Sequence, residues 1–407
     1  MIAPPLPKGE VRLVCLRGGL GCVPGVRLSG VHAGIKRRKR DLALVAFDRD
    51  QVCAAVVTTN EMKAAPIVVS AAYLAPESAR MRALVCNSGC ANACTGDRGE
   101  RDVHATAAQA ATLLGVATTQ IVVASTGVIG VPLPLDRVQR GLERCVAQLD
   151  EGVKAAHDAA EAIMTTDRVP KLAAYAFYHD GKRYVVGGIA KGSGMIAPNM
   201  ATMLAFIATD LPMLRASLTD ALREATDESF NMISVDGDMS TNDAVYAFAP
   251  DGALGAPHAF RCALRRVALD LALAMVDDGE GATKRLEVRV VGARDTAQAR
   301  SIARAVVNSN LVKTALYGED PNWGRIIAAA GAARLGLDPT RWSLLLNEKE
   351  WVAQGAIESL SEAQAHAELE QHEIVVELRL GIGEAHATAW GCDLSRDYVR
   401  INASYRT

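Results

Sequence analysis

The sequence predicts an α+β fold, with a strand-rich first part followed by a smaller C-terminal α/β region. Residues 26–60 are rich in β-branched and other apolar residues of strand length. Two strand-like segments flank Asp180-Gly181, a dipeptide favoured in two-residue hairpin turns. Between residues 284 and 380, strand-length and helix-length segments follow one another in a β-α-α-β pattern.

The chain has 407 residues, of which 50% are hydrophobic and 22% charged, so it can bury one large core or two ordinary ones. Its net charge of −2 argues against a general nucleic-acid or membrane-surface binder. Prolines near the N-terminus interrupt the apolar run that a signal peptide needs. No apolar run reaches the roughly 18 residues of a membrane span. Nine cysteines, an odd number, fit reduced thiols, so we expect a cytoplasmic protein.

The order of elements follows from apolar periodicity and from turn residues. We expect strands at 41–47, 52–60, 120–125, 171–178, 182–189, 202–209, 286–291, 342–346, 374–380 and 385–394. We expect helices near 103–114, 134–164, 213–231, 258–276, 296–308 and 324–333. The tail, residues 398–407, is expected to be frayed, as free C-termini usually are.

Cys86, Cys90 and Cys94 are spaced four apart, a spacing that on a helix would place three thiols on one face. The segment is loop-like and has no nearby His, so small buried thiols are favoured over a metal site.

Two other charged segments have ordinary explanations. The basic run 37–40 lies in a chain whose basic residues are balanced by acidic ones, which favours a solvated turn over an interaction patch. Asp236-Gly237-Asp238 lacks the twelve-position loop with a closing Glu that binds calcium, which favours a structural loop.

The most informative stretch is residues 191–206, KGSGMIAPNMATMLAF. It is a turn-rich loop that ends at Ala201, and Thr202 opens an apolar strand. Strained peptide bonds are stored at functional sites, so we consider self-cleavage at Ala201-Thr202. The Thr202 hydroxyl would attack the Ala201 carbonyl, and water would cut the resulting ester. The freed α-amine of Thr202 would then serve as base for its own hydroxyl. A glycine-containing loop before a core strand is the alternative explanation.

Two further motifs have both a chemical and an ordinary explanation. Thr126-Gly127 follows a strand, where backbone N–H groups in a tight turn can stabilise an oxyanion. By itself, the motif is explained better by an ordinary strand-to-helix turn. Glu280 lies between two glycines, which allow close approach of a ligand to the backbone. A helix C-terminal turn explains that pattern without any ligand.

The chain resembles the ornithine acetyltransferase, or glutamate N-acetyltransferase, family of arginine biosynthesis. The matching stretches lie in both halves of the chain: Ala-Gly-Ile-Lys at 33–36, Thr-Thr-Asn at 58–60 before Ala-Ala-Pro at 64–66, Asn-Ser-Gly-Cys-Ala-Asn-Ala-Cys-Thr-Gly at 87–96, residues 191–206, Asp-Gly-Glu-Gly-Ala-Thr-Lys at 278–284, residues 311–315 and residues 318–325. The family usually has Asn where this chain has Cys90, which puts a local polar contact in doubt.

The resemblance implies a layered αββα sandwich of the DmpA/ArgJ-like type. It implies a catalytic domain at 1–283, to which the tail 386–407 returns, and a smaller α/β domain at 284–385. Self-cleavage would give an α chain of residues 1–201 and a β chain of residues 202–407. A dimer of such αβ pairs, a heterotetramer, is the assembly that the family suggests.

The resemblance also assigns roles to residues. Thr202 is the nucleophile, and Thr126 and Gly127 form the oxyanion hole. The implied substrate-binding residues are Thr165, Lys191, Thr202, Glu280, Asn402 and Thr407. Thr166 is the alternative to Thr165.

The implied reaction is a ping-pong transfer of an acetyl group from N2-acetylornithine to L-glutamate through an acetyl-Thr202 ester. It needs neither a metal nor an organic cofactor. Members of the family differ in whether acetyl-CoA is a second donor, so a monofunctional and a bifunctional enzyme both stay open.

Three rival functions remain. A related self-processed aminopeptidase would use water in place of glutamate, and Lys191, Glu280 and the tail favour a small diamino acid over its peptides. A related acetyltransferase of a secondary-metabolite pathway is poorly separated by motifs. A non-catalytic binding protein would have no need for the intact Ala201-Thr202 pair and Thr126-Gly127.

Overall fold

The computed structural model describes residues 11–197, 203–355 and 357–404. Its strands, in chain order, are β1 (Val14–Leu16), β2 (Val26–Val31), β3 (Leu42–Val57), β4 (Met81–Cys90), β5 (Ile121–Val128), β6 (Lys171–His179), β7 (Lys182–Lys191), β8 (Leu204–Thr209), β9 (Ile233–Ser234), β10 (Ala244–Pro250), β11 (Arg285–Ala293), β12 (Ser343–Leu346), β13 (Lys349–Ala353), β14 (Ile357–Glu358), β15 (Glu373–Arg379) and β16 (Ala385–Cys392).

The α-helices are α1 (Ala65–Leu74), α2 (Gly96–Leu114), α3 (Leu135–Ala147), α4 (Val153–Ile163), α5 (Arg215–Asp227), α6 (His258–Asp277), α7 (Thr296–Asn308), α8 (Asn310–Tyr317), α9 (Trp323–Ala332), α10 (Glu362–Leu369) and α11 (Arg396–Ala403). Short 3₁₀ helices lie at Gly19–Cys22, Thr118–Gln120 and Phe230–Met232.

The chain forms two compact units. The larger comprises Met1–Gly192, Asn199–Phe230 and Met239–Ala272, and the smaller comprises Ser193–Pro198, Asn231–Asp238 and Leu273–Thr407. The predicted α+β class is confirmed, because both units combine helices with mixed sheets. The predicted domain boundaries at 283 and 385 stay a prediction.

The larger unit is built on a nine-stranded sheet with the order β1-β6-β7-β8-β10-β3-β4-β5, and β2 pairs with β3. The pairs β8–β10 and β4–β5 are parallel, and the other neighbours are antiparallel. The central strand β3 has apolar side chains on both faces: Leu42 and Leu44 belong to one core cluster, Val45 and Phe47 to the other. Helices cover both faces, because α4 supplies residues to one cluster and α2 and α3 to the other.

The smaller unit contains a seven-stranded sheet with the order β14-β13-β12-β15-β11-β16-β9. The pairs β11–β15 and β16–β9 are parallel. Alternate residues of β11, Leu286, Val288 and Val290, are completely buried. The period of two shows why this segment folds as a strand with one face in the core.

The predicted hairpin at Asp180-Gly181 is confirmed. β6 and β7 pair in register from Lys171↔Ala190 to His179↔Lys182. Both turn residues have positive φ, 48° for Asp180 and 74° for Gly181, as a two-residue type I′ turn requires. The hairpin delivers the chain to Lys191 at the end of β7.

Two sequence-based predictions about strands were wrong. The two strands expected at 41–47 and 52–60 form the single strand β3, because the polar Asp48-Arg49-Asp50 stays extended instead of turning. Cys86 and Cys90 lie in β4 and not in a loop. Both thiols are buried, as expected, but Cys94 is exposed.

In the basic run, residues 37–39 form exposed bends, which agrees with the expected solvated turn.

Two predictions about helices were also wrong. The helix expected at 134–164 is two helices, because Gly152 adopts a φ of 89° and Asp150 exchanges backbone hydrogen bonds with Leu28 of 2.8 and 3.0 Å. The tail is helical at α11 rather than frayed throughout, since the Ser395 side chain caps it by accepting from the Tyr398 N–H. Among the described residues, no helix combines the length and the apolarity needed to cross a bilayer.

Candidate active site

Lys191 ends β7 in the larger unit, and its side chain is almost completely buried, at 2% exposure. Its ammonium donates a long hydrogen bond of 3.4 Å to Thr126 Oγ1. Burial lowers the pKa of Lys191, while the nearby Asp167 carboxylate raises it and Lys171 lowers it further. The structure therefore brings together Lys191 and Thr126, two residues that the sequence assigned to substrate and oxyanion binding.

Asp167 is a buried carboxylate that organises the neighbourhood of Lys191. Its Oδ1 accepts from Lys171 Nζ and from the Gly192 N–H, both at 2.7 Å, and its Oδ2 accepts from the Thr165 N–H at 3.0 Å. Burial alone would raise the pKa of Asp167, but Lys191, Lys171 and these hydrogen bonds lower it to about 2. Asp167 is therefore ionised at neutral pH, and it fixes the backbone at Thr165 and at the start of the glycine-containing loop.

Thr126 and Gly127 lie near the end of β5, where its pairing with β4 shifts register at Gly89 and Cys90. Gly127 has a φ of 131°, and a Cβ there would lie 2.4 Å from the Gly89 carbonyl carbon. Only glycine fits this position, because the two backbones approach too closely for a side chain. The irregular pairing places Thr126-Gly127 where the regular strand ladder is interrupted. The oxyanion role of their N–H groups stays a prediction.

The smaller unit holds two of the predicted substrate residues that the structure describes, Glu280 and Asn402. Glu280 is buried, its N–H donates to the Ser193 carbonyl at 2.7 Å, and its Oε2 accepts from Asn402 Nδ2 at 2.7 Å. A Cβ on Gly194 would lie 2.4 Å from the Glu280 carboxyl carbon. The Gly-Ser-Gly sequence thus lets the loop backbone pack directly on Glu280. The structure brings Glu280 and Asn402 together, as the assigned roles require.

Asp236 fixes the next part of the loop within the same unit. Its carboxylate accepts from the N–H groups of Met195 and Ile196, at 2.7 and 2.8 Å, and from Tyr398 Oη at 3.1 Å. Burial raises the pKa of Asp236, and these donors oppose the rise. This geometry fits the structural loop that the Asp-Gly-Asp sequence was expected to form.

Not every assigned residue lies in the described part of the chain. Ala201, Thr202 and Thr407 lie outside the described residues. Thr165 and Thr166 are both half-buried, so the choice between them stays open.

Sequence reasoning missed several charged residues of this site. Asp167, Lys171 and Asp243 are buried in the larger unit, and each lies next to a strand end or loop of the site. Lys36 donates to the Met164 carbonyl at 3.0 Å, and burial lowers its pKa to about 8. Lys36 lies inside the family-like stretch 33–36, and Lys171 begins a predicted strand. For Lys171 and Asp243 the usable signal was a charged residue at the border of an apolar strand.

Two clusters within the described residues have metal-like donor sets: His157, Asp158 and Glu161, and Glu319, His366 and Glu370. Arg40 already pairs with Asp158 and Glu161, each at 3.1 Å, and Lys284 pairs with Glu319 at 2.7 Å. These carboxylates are therefore neutralised by side chains of the protein.

Comparison with known proteins identifies the family to which this chain belongs. The model of the ArgJ family matches residues 27–407. An arginine biosynthesis bifunctional protein ArgJ from Symbiobacterium thermophilum is 48% identical over 404 residues, covering 96% of this chain and 99% of its own. The protein of the same name from Geobacillus kaustophilus is 46% identical over 411 residues, covering 98% and 99%.

A solved structure was also found, that of ornithine acetyltransferase complexed with ornithine from Mycobacterium tuberculosis. It is 39% identical, covers 46% of this chain and 98% of its own, and has a TM-score of 0.42. The family match and the near full-length identities confirm the resemblance seen in the motifs. The chain belongs to the ArgJ family.

Proposed function

We propose that this chain is an acyltransferase of arginine biosynthesis that moves the acetyl group of N2-acetylornithine to L-glutamate. The observation that carries the proposal is the buried Lys191 ammonium, which ends β7 within 3.4 Å of the Thr126 hydroxyl. A buried ammonium at the start of the 191–206 stretch can bind a substrate carboxylate by a charge-assisted hydrogen bond. The names of the relatives, which state arginine biosynthesis, support the same pathway.

The enzyme first prepares its own nucleophile. The Thr202 hydroxyl attacks the Ala201 carbonyl, the amide becomes an ester, and water releases an α chain of residues 1–201 and a β chain of residues 202–407. Thr202 then carries a free α-amine, whose ordinary pKa of about 7.7–8.0 suits a base near neutral pH. One residue thus supplies the nucleophile and its base.

Acetyl transfer then takes place in two halves. The Thr202 hydroxyl attacks the acetyl carbonyl of N2-acetylornithine, and its proton passes to the α-amine. The N–H groups of Thr126 and Gly127 donate to the oxyanion of the tetrahedral intermediate. When the C–N bond breaks, the proton goes to the departing ornithine amine, and acetyl-Thr202 remains. The amine of L-glutamate attacks this ester to give N-acetylglutamate and restore the hydroxyl.

Each substrate carries a carboxylate and an amino group. The protein therefore needs a positive charge for the carboxylate and a negative charge for the ammonium. The Lys191 ammonium suits a carboxylate, and the ammonium of the substrate suits Glu280. The hydrogen bond from Asn402 to Glu280 supports this role, because it fixes the orientation of the carboxylate. Thr165 and Thr407 complete the substrate set.

Two finer points belong to the same proposal. We propose acetyl-CoA as a second donor for glutamate, which would give this chain two activities, and the names of the relatives contain the word bifunctional. We also propose a cytoplasmic enzyme that assembles as an αβ heterodimer and then as a dimer of such pairs.

The reaction is tested by incubating the purified protein with N2-acetylornithine labelled in the acetyl group, with and without L-glutamate. We expect labelled N-acetylglutamate and ornithine in equal amounts, and without glutamate one acetyl group on the fragment that begins at Thr202. Acetate release that does not depend on glutamate would show a hydrolase instead. Replacing the donor with acetyl-CoA tests the second activity.

A further inference from the structure

The peptide group between Met164 and Thr165 is held at both ends, and one of the two side chains that hold it has no role in the proposed reaction. Lys36 Nζ donates to the Met164 carbonyl at 3.0 Å. The Thr165 N–H donates to Asp167 Oδ2 at 3.0 Å. The carbonyl and the N–H belong to one trans peptide, so they point in opposite directions. This peptide therefore lies between an ammonium and a carboxylate.

The two charges match the dipole of this peptide. The Lys36 ammonium binds the carbonyl oxygen, which is the negative end, and the Asp167 carboxylate binds the N–H, which is the positive end. Hydrogen bonds with an ionised partner are roughly twice as strong as neutral ones. Rotation of the peptide would break both bonds, so the backbone at Thr165 has one favoured orientation.

The position of Lys36 is fixed by its own loop, which is built around the completely buried Asp41. Asp41 Oδ2 accepts from the N–H groups of Gly34 and Lys36, at 3.1 and 2.8 Å. The other oxygen of the same carboxylate accepts from the Ala33 N–H. Three backbone donors on one carboxylate fix the point from which the Lys36 side chain starts.

The stem of Lys36 packs on the strand beside the proposed oxyanion turn. A Cβ on Gly89 would lie 2.9 Å from Lys36 Cγ, so the stem needs a glycine there. The Gly89 backbone also approaches Gly127, where a Cβ would lie 2.4 Å from the Gly89 carbonyl carbon. All of these residues belong to the larger unit. Lys36 thus contacts the backbone of the proposed substrate segment and a neighbour of the oxyanion turn.

The hydrogen bond from Lys36 also has an ordinary structural effect. Met164 follows the last residue of α4, and a lysine that binds a final helix carbonyl stabilises the helix. Helix stabilisation alone would leave substrate binding unchanged. The bond from Asp167 to the other end of the same peptide points further, because the pair together fixes the backbone of Thr165.

We propose that Lys36 is a positioning residue for the acetyl-transfer reaction: together with Asp167 it fixes the Met164–Thr165 peptide and so holds Thr165 in the orientation that binds the substrate. The inference rests on the proposed function and adds to it a residue that acts through Thr165. Because Lys36 affects the binding of the substrate and not the reacting atoms, its effect lies in KM.

The protonation of Lys36 gives this role a dependence on pH. Burial lowers the pKa of Lys36 to about 8, the Asp41 and Asp167 carboxylates and Cys86 raise it, and Lys39 lowers it. Above that pH the amine is neutral, and its hydrogen bond to the carbonyl weakens. KM of the wild type for N2-acetylornithine should therefore rise as the pH passes through about 8.

The test is a double-mutant cycle of Lys36→Met and Thr165→Ala, read as kcat and KM for N2-acetylornithine at neutral pH. Methionine keeps an apolar stem on Gly89 and removes the charge. We expect Lys36→Met to raise KM about 10-fold with kcat within about threefold of the wild type. In the Thr165→Ala background the same change should raise KM less than about twofold, because Lys36 acts through Thr165.

The pH dependence is a second measurement on the same variants. The ratio of KM between Lys36→Met and the wild type should fall above about pH 8, where the wild type itself loses the charge. A residue that only caps a helix would leave this ratio at one.

Arg215→Met is the matched control for helix capping. Arg215 lies in the larger unit and donates to the carbonyl of Leu74, the last residue of α1, and to that of Pro76 at 2.8 Å. Both Arg215→Met and Lys36→Met should melt at a lower temperature than the wild type. Only Lys36→Met should raise KM.

Several outcomes would overturn the inference. One is a Lys36→Met variant with the wild-type KM, and another is an equally large rise of KM in the Thr165→Ala background. A ratio of KM values that does not change across about pH 8 also contradicts it.

If Lys36→Met does not fold, Lys36→Arg takes its place. Its guanidinium stays charged, so KM should rise less above about pH 8 than in the wild type, and an equal rise contradicts the role. A wild type that transfers no acetyl group overturns the proposed function as well, whereas an active wild type confines the failure to Lys36.

Discussion

Lys191 in the larger unit and Lys313 in the smaller unit are both almost completely buried, but their ammonium groups have different surroundings. Lys313 lies in α8 and donates to the carbonyl of Cys392, with the Cys392 sulfur 3.7 Å away. Lys191 donates to one hydroxyl, at the long distance of 3.4 Å. Within the described residues Lys191 therefore donates only to a side-chain hydroxyl, whereas Lys313 donates to a backbone carbonyl and ties a helix to a strand.

This difference shows that burial of a charged side chain does not by itself indicate function. A buried cation that donates to a backbone carbonyl of another element contributes to the fold. A buried cation that donates only one long hydrogen bond to a side chain and lies next to other charges has a cost that a ligand can relieve. The hydrogen bonds of the two lysines therefore differ in the direction expected from the family resemblance, which implies a substrate role for Lys191 and none for Lys313.

The largest expected effect in this comparison is that of Lys191→Met on catalysis. A hydrogen bond to a charged group contributes about 1.5–3 kcal/mol, so kcat/KM for N2-acetylornithine should fall about 10–100-fold. The loss should lie mainly in KM, because the carboxylate is bound equally in the ground state and the transition state. Steady-state kinetics and thermal unfolding of the same preparation check this, and the melting temperature should change little.

Lys313→Met is the matched variant in the other unit. Removing its hydrogen bond to Cys392 should lower the free energy of unfolding by about 1–3 kcal/mol, with kcat/KM unchanged. The contrast would fail if Lys313→Met reduced kcat/KM as strongly as Lys191→Met at an unchanged melting temperature.

The next effect concerns Asp167, whose ionised carboxylate accepts hydrogen bonds from Lys171 and from two backbone N–H groups. Its folded pKa of about 2 lies below the ordinary 3.8, so the ionised carboxylate adds stability. That stability is complete above about pH 4 and is lost as the pH falls through about 2, a change on the order of 2 kcal/mol. Urea unfolding of wild type and Asp167→Asn over this range should show the steeper loss in the wild type. Parallel curves would contradict the role given to Asp167.

The smallest expected effect is that of Asn402→Ala in the smaller unit. It removes one hydrogen bond to the Glu280 carboxylate, so KM for N2-acetylornithine should rise roughly fivefold, equivalent to about 1 kcal/mol. Arg400→Ala is the control, because its partner is the exposed Asp397 on the same helix. Equal KM values for the two variants would remove Asn402 from the substrate set.

The sequence predicted the α+β class, the Asp180-Gly181 hairpin and most of the strands because these follow from local periodicity and turn residues. It placed Lys191 with the substrate set and Thr126 with the oxyanion hole through a family resemblance, and the structure brings them within 3.4 Å. It gave no role to Asp167 or Asp243, because each also binds a backbone N–H that is distant in the chain, that of Gly192, 25 positions from Asp167, and that of Met203, 40 positions from Asp243. It also missed the break between α3 and α4, which depends on the pairing of Asp150 with Leu28.

The central claim is that Thr202 is the nucleophile and that cleavage frees its amine. The most direct measurement is the intact mass of wild type and Thr202→Ala under denaturing conditions. The account predicts two fragments in the wild type, the second beginning at Thr202, and one uncut chain in the variant. A single chain in both would remove the amine base, and the acetyl-transfer mechanism would fall with it.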